Sequence, residues 1–352
     1  MNKNFISLVI IIGVLVIGTT LVLNGKKINS SLGTNKIELD SAVDLAKDSS
    51  DKQGEELVFI DDAENDVIVV LTKKGEVVKK IPVGHAPHDI AASPNGELVA
   101  SANQDSGTVS VINTRNLTVI QTVPTGAGAH GLVFSPDGRF LYVANVTADT
   151  ISVVDTALWQ EIQEISVDSG PEYVGVTPDG KQIFTTNLGG SGSITLLKNQ
   201  EGRLSVQKTL MLGIDPHGWA ISPDGSKVVI TNLGSNFTYL LNAQTFDEIS
   251  HIDTGATTEF ATFKDDTELW VTNIGAHYVS VVNTNQNKVL DQISVGETPH
   301  GISFSQDKTL AFVPLYGPGE VVIIDVLKRK IIKKVKVGNE LHNSVMVQVG
   351  KN

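Results

Sequence analysis

The chain has 352 residues, no cysteine, and 27 Lys plus Arg against 39 Asp plus Glu, a formal net charge of −12. That length allows two ordinary domains or one large all-β domain. The acidic balance argues against binding to a phosphate backbone, so no nucleic-acid partner is expected. The lack of cysteine excludes disulfides, thiolate metal sites, iron–sulfur clusters and haem attached through Cys-x-x-Cys-His.

The first element is Phe5–Leu23, "FISLVIIIGVLVIGTTLVL", an uncharged run preceded by Lys3 and followed by Lys26 and Lys27. It is long enough to span a bilayer once, and no small-x-small cleavage site follows it. Residues 1–27 are therefore expected to be an uncleaved transmembrane signal-anchor helix. Residues 28–54 are polar with few large apolar groups and read as a tether. An anchor followed by a cysteine-free domain places the rest of the chain on the extracytoplasmic side of the cell membrane.

From residue 55 the chain repeats itself. "HDIAASPNGELVASANQDSGTVSVIN" from His88 aligns with "HGLVFSPDGRFLYVANVTADTISVVD" from His130, and again with copies from Glu172, His217, Glu259 and His300. A period near 42 residues with four short β-branched runs per copy is the signature of propeller blades. A first strand such as "GLVFS" ends in "SPDG", where proline presets φ and glycine takes the position needing positive φ. The ends complete the count. A last first strand begins at His342, and its missing partners are "ELVFIDD", "DVIVVLT" and "EVVKKIPVG" near the start of the repeat region. The spacing thus predicts an all-β, seven-bladed β-propeller over 55–352 with four-stranded blades, one shared between the N- and C-termini, which closes the ring and protects its edges.

At one register of the seven copies stand His88, His130, Glu172, His217, Glu259, His300 and His342, which takes five of the eight histidines of the chain. These positions lie where a loop enters each innermost strand, so they are expected to gather around the central channel on one face. Imidazole and carboxylate suit zinc, copper, iron, nickel or manganese. One transition-metal ion takes about four to six ligands, so either a subset binds one ion with an open position or the ring carries a small cluster. The alternatives are an organic-anion or haem-like pocket and a purely structural ring bonded between blades.

The repeats "LYVANVTADTISVVDT" and "LWVTNIGAHYVSVVNT" resemble the YVTN-type propeller repeats of surface-layer and YncE-like proteins, which are similar in turn to the propellers of nitrous oxide reductase, thiocyanate dehydrogenase and haem d1 proteins. The resemblance implies the propeller fold and favours copper, as one ion or a cluster, since related propellers carry multinuclear copper on a histidine ring; a haem d1-like cofactor is the lesser expectation. Two glutamates in the ring and the missing cysteine-containing copper domain depart from nitrous oxide reductase and argue against that reaction. Redox catalysis or metal capture and delivery is the first functional expectation. The second is a non-enzymatic surface module whose face loops bind a small molecule or a protein partner.

A second register holds Asn103, Asn145, Asn187, Asn232 and Asn273, with Asp61 and Leu315 at the other places. It is read first as turn asparagines that adopt the left-handed conformation and bond their own backbone, and second as side chains that orient the imidazoles. His85 and His277 are loop residues on the ring face, His251 lies in an outer strand, and Tyr173, Trp219, Phe260 and Tyr316 are candidates to wall the channel. "GAGAHG" (126–131) matches a dinucleotide glycine pattern but opens a strand, so it is rejected.

Overall fold

The computed structural model describes residues 54–349 except 190, 191 and 214. The expected anchor and all but the last residue of the expected tether lie outside these residues. Twenty-eight strands, β1–β28 in chain order, form seven four-stranded antiparallel sheets arranged as the blades of a propeller. Blade 1 consists of β1 (Glu56–Asp62), β2 (Val67–Thr72) and β3 (Val77–Pro82), with β28 (Leu341–Gln348) as its innermost strand. The shared blade is therefore observed, with Glu56 paired to Gln348 and Phe59 to Val345.

The other blades follow in order and begin at β4 (Pro87–Ala92), β8 (Ala129–Phe134), β12 (Pro171–Val176), β16 (Pro216–Ile221), β20 (Thr258–Phe263) and β24 (Ser303–Phe304). These first strands touch one another around the axis. The middle strands are buried on both faces; Ile68, Val69, Val70 and Leu71 in β2 have no solvent exposure. That explains their continuous β-branched runs, because each sheet packs against a neighbour on either side. The seams are apolar: Trp270 packs with Val313 and Ile324 between blades 6 and 7, and Phe59 with Ile90 and Val99 between blades 1 and 2.

The "SPDG" turn has the expected chemistry. Ser135 donates to Asp137 Oδ1 at 2.6 Å and accepts from the Phe140 amide at 3.0 Å, while Gly138 takes φ 72°. The turn closes the end of each blade away from the ring and hands the chain to a second strand that returns toward it.

Candidate metal centre

Each innermost strand enters from the ring face, and in nearly every blade its ladder breaks at the ring residue. The register shifts between Pro87 and Asp89, Ala129 and Leu132, Pro171 and Tyr173, Pro216 and Trp219, and Thr258 and Ala261. In blade 1 the shift lies opposite Leu341–Ser344, and in blade 7 only the bridge Pro299–Leu315 precedes the two-residue β24. A bulge re-aims a side chain and releases its backbone groups from the sheet. Here the released carbonyls accept from neighbouring elements. His130 Nδ1 lies 3.0 Å from the Glu172 carbonyl, His217 Nδ1 lies 3.3 Å from that of Glu259, and the Gly301 amide donates to that of His342 at 2.8 Å. The glycines after the ring histidines allow this approach: a Cβ on Gly218 would stand 2.5 Å from the Glu259 carbonyl oxygen.

The seven predicted side chains all come together, and each touches the next around the axis. His342 and His88 have ring centroids 3.9 Å apart, and His88 and His130 3.7 Å. His130 Nε2 is 3.1 Å from Glu172 Oε2, which is 3.8 Å from His217 Nε2. His217 Nδ1 is 3.5 Å and His300 Nε2 3.0 Å from Glu259 Oε1, and His300 Nε2 is 3.3 Å from His342 Nδ1. Five members, His130, His217, Glu259, His300 and His342, are 3–7% exposed, while His88 and Glu172 keep more contact with solvent.

Burial and mutual repulsion set the protonation. Burial first, then neighbouring imidazoles, push His130 down to about 3, and burial and His217 push His342 down to about 4. His88, His217 and His300 are lowered as well, in each case chiefly by burial. Glu259 is pushed up to about 8 by burial, and Glu172 is raised by burial and by Glu259. The ring at neutral pH is therefore a set of uncharged imidazoles, each with one N–H and one lone pair, and of carboxyls inclined to keep their protons. His88 Nδ1, His300 Nδ1 and Glu259 Oε2 are buried without a hydrogen-bond partner. Nothing in such a set repels a cation and much of it accepts one.

The donors fit a transition metal in type, and their contacts of 3.0–3.8 Å bracket the roughly 3.3 Å edge between two ligands of a tetrahedral ion with bonds of about 2.0–2.1 Å. Among the described residues no three His, Asp or Glu groups already surround one point as a preformed metal site. The ring stands closed on itself, and an ion would have to part it.

Below the ring lies a second polar layer that the repeat register did not reveal. Asp61 Oδ1 accepts the amides of His342 and Asn343 at 2.9 and 2.8 Å, while its Oδ2 is buried and unpartnered. Asn343 Nδ2 donates to Asp89 Oδ1 at 2.8 Å, and Asp89 Oδ2 takes the Leu132 amide. Burial raises both carboxyls, Asp89 to about 7. The signal was available: Asp89 and Asn343 interrupt a position otherwise held by glycine or an aromatic.

The asparagine register is corrected. Asn103, Asn145, Asn187, Asn232 and Asn273 are fully buried and do not take positive φ. Their side chains reach across to the third strand, as Asn145 Nδ2 does to Thr150 and Ser152 at 3.1 and 2.9 Å, and Asn187 Nδ2 to Ser193 and Thr195. They staple second strand to third and bond no imidazole. Tyr173 packs edge-on to His130 and His217, Phe260 touches His217 and His300, and Tyr316 touches His342. Trp219 packs on Phe184 within the apolar core instead. His85 bonds Asp66, His277 takes the Thr298 amide, and His251 pairs with Glu248 on the surface; none of them joins the ring.

The family model described as lactonase, 7-bladed beta-propeller, matches residues 114–247. No curated protein sequence matches the chain. Among solved structures, the hydrazine synthase of Kuenenia stuttgartiensis superposes with a TM-score of 0.69 at 16% identity, covering 83% of this chain and 97% of that one. A putative 6-phosphogluconolactonase of Bacteroides fragilis gives 0.73 at 16% over 85% and 99%. Dihydro-haem d1 dehydrogenase NirN in complex with DHE gives 0.61 at 17% over 84% and 75%. These likenesses establish the seven-bladed propeller, and a fold of this kind hosts many activities.

Proposed function

We propose that the protein is a membrane-tethered, extracytoplasmic propeller whose axial ring binds one or more transition-metal ions, copper in first place, for redox catalysis or metal capture and delivery. The observation that carries this reading is the closed circle of seven imidazole and carboxyl side chains, with five contacts between their N and O atoms at 3.0–3.8 Å and His88 stacked between His342 and His130. A ring that served only to brace the blades would have its buried polar atoms paired; here His88 Nδ1, His300 Nδ1 and Glu259 Oε2 are buried without a hydrogen-bond partner.

The chain's own residues prepare that role. By giving Nδ1–H to the carbonyls of Glu172 and Glu259, His130 and His217 are held in the tautomer that leaves Nε2 as a lone-pair donor. Glu172 lies between His130 and His217, and Glu259 between His217 and His300, so each carboxylate can bridge two imidazoles. Tyr173, Phe260 and Tyr316 keep bulk water from most of the ring, which strengthens any charge interaction inside it. Copper held there would supply one-electron chemistry or an open coordination position for a small substrate. Copper is preferred over zinc and iron on the resemblance of the repeats to copper-bearing propellers.

Elemental analysis and an absorption spectrum of the purified full chain test the proposal. Metal should be present, and a variant with His130, His217 and His300 changed to Ala should lose it while keeping its β-sheet spectrum. A folded wild type that stays metal-free after reconstitution with copper, zinc and iron overturns it. A porphyrin-type spectrum after haem addition would move the assignment to a haem d1-like cofactor.

A further inference from the structure

The basic residues of this acidic chain are gathered on one edge. The outermost strand of blade 1, β3, carries Lys79 and Lys80, and that of blade 7, β27 (Lys330–Lys336), carries Lys330, Lys333, Lys334 and Lys336; neither holds an acid. β27 is the most basic outer strand at +4 and β3 carries +2; of the other five only β15 (Arg203–Met211) is net basic, at +2, and it lies in blade 4 away from them. The two basic strands belong to neighbouring blades. Lys73 Nζ pairs with Asp307 at 3.1 Å across the seam, and Lys333 Nζ donates to the Lys74 carbonyl at 2.6 Å. The ion pairs of this edge are made by Lys73, Lys328 and Arg329, whereas Lys79, Lys80, Lys330 and Lys334 are exposed and make none among the described residues. Apolar side chains stand exposed among them: Leu327 at 91%, Ile332 at 57% and Val77 at 50%.

The described chain begins in the same blade 1, two strands inward from β3. The Gly54 amide bonds the Val349 carbonyl, at the end of blade 1 opposite His342. The turns before β3 and β27 lie at that same end, since Leu57 pairs with Thr72 and Leu310 with Asp325. Between the apolar run ending at Leu23 and Gly54 lie about 30 residues of mostly polar sequence.

We infer that the outer edge of blades 1 and 7 docks on a bilayer carrying anionic phosphate headgroups. Unpaired lysines on an otherwise acidic body are attracted to such a surface, each raising partition by about fivefold, and the apolar side chains between them enter the headgroup layer as in other interfacial elements. The tether of the proposed function supplies proximity, and the metal plays no part. With this edge on the bilayer the ring face is turned away from the point of attachment.

The test uses the full chain with lipid nanodiscs, either purely phosphatidylcholine or containing phosphatidylglycerol, and reads lysine acylation by mass spectrometry. Lys79, Lys80, Lys330 and Lys334 should react at least about fivefold more slowly on anionic discs, while the exposed Lys198 and Lys208 of blade 4 are unchanged. About 0.5 M salt should remove the protection. A variant with the four lysines changed to Gln should lose the lipid dependence, and a second with Glu should reverse it; circular dichroism confirms that each is folded. Equal acylation on both discs overturns the inference even if the chain is captured by both, which would leave the tether standing. Protection that appears without lipid as protein concentration rises assigns the edge to a second copy and overturns it. Equal protection by soluble polyphosphate overturns it in favour of a free polyanion.

Discussion

Changing Glu259 to Gln separates a ring that binds metal from one that only braces the blades. Glu259 is 3% exposed, and burial pushes its carboxyl up to about 8. The native chain keeps this proton up to about pH 8, whereas the unfolded chain releases it near 4.5. Unfolding therefore releases a proton between those values, and stability falls as pH rises through that window. At pH 7 the deficit amounts to roughly 3 kcal/mol as an upper bound. Gln keeps the shape and can donate N–H to His300 Nε2, 3.0 Å from the present carboxyl oxygen, with no ionisation to suppress. The metal-free variant should be more stable than metal-free wild type at pH 7 by up to about 3 kcal/mol, roughly 6 °C in melting temperature for a domain of this size. At pH 4.5 the two should converge. With metal the order changes: if the lost anionic ligand weakens binding about 100-fold, ion at 100 times the wild-type dissociation constant adds about 2.7 kcal/mol to wild type and only about 0.4 to the variant. Calorimetric melting with and without copper at both pH values gives the four numbers. A metal-free variant less stable than wild type at pH 7, or an equal gain from metal in both, would refute the reasoning.

Three further outcomes follow from the same geometry. Metal binding at pH 7 should release about one proton, because Glu259 must ionise to act as a ligand; titration calorimetry in two buffers of different ionisation heat measures it, and no release would remove Glu259 from the site. In the metal-free protein His130 and His342 stay neutral down to about 3 and 4, so below pH 6.5 the unfolded chain takes up protons that the native chain refuses. Each then lowers stability by up to about 1.4 kcal/mol per pH unit, and the five ring histidines outnumber the four buried carboxyls, Asp61, Asp89, Glu172 and Glu259, that act in the opposite sense, so a urea midpoint that rises steadily from pH 6.5 to 4.5 would contradict their burial as neutral groups. Asp61→Ala leaves the His342 and Asn343 amides without their acceptor and should cost about 2–4 kcal/mol, whereas Asp61→Asn keeps an acceptor and removes a buried acid, so chemical denaturation should find it at least as stable as wild type.

The fold was legible because each blade restates the same requirements. Proline and glycine in the "SPDG"-type turn recur in four blades, alternation in the outer strand and a β-branched run in the middle strands recur throughout, and the shared blade followed from what was left over at each end. The ring was legible for the same reason, since a residue type that recurs at one register in a repeat must recur at one radius in a propeller. What stayed hidden was whatever depends on contact between blades. The bulge at each ring residue is fixed by a neighbouring element bonding to its carbonyl, and no residue type reports that. The asparagines were misread because the third-strand hydroxyls they bond, such as Ser152 and Thr195, are separated from them by a turn and look like ordinary strand residues. Trp219 was placed on the channel although its ring belongs to the core against Phe184.

The shared blade also sets a time order. His342 is carried by β28, the last strand of the chain, and that strand is held by β1 and Asp61 from the first blade to be made. During synthesis six ring members can exist on stacked blades while the circle remains open, and a partial set of histidines on an open arc is a poor and promiscuous ligand. Only when Val349 has emerged and met Glu55 does the circle close. A complete ring is therefore a property of the finished chain, and a chain cut short by even one strand would have neither a closed circle of blades nor all seven ring members.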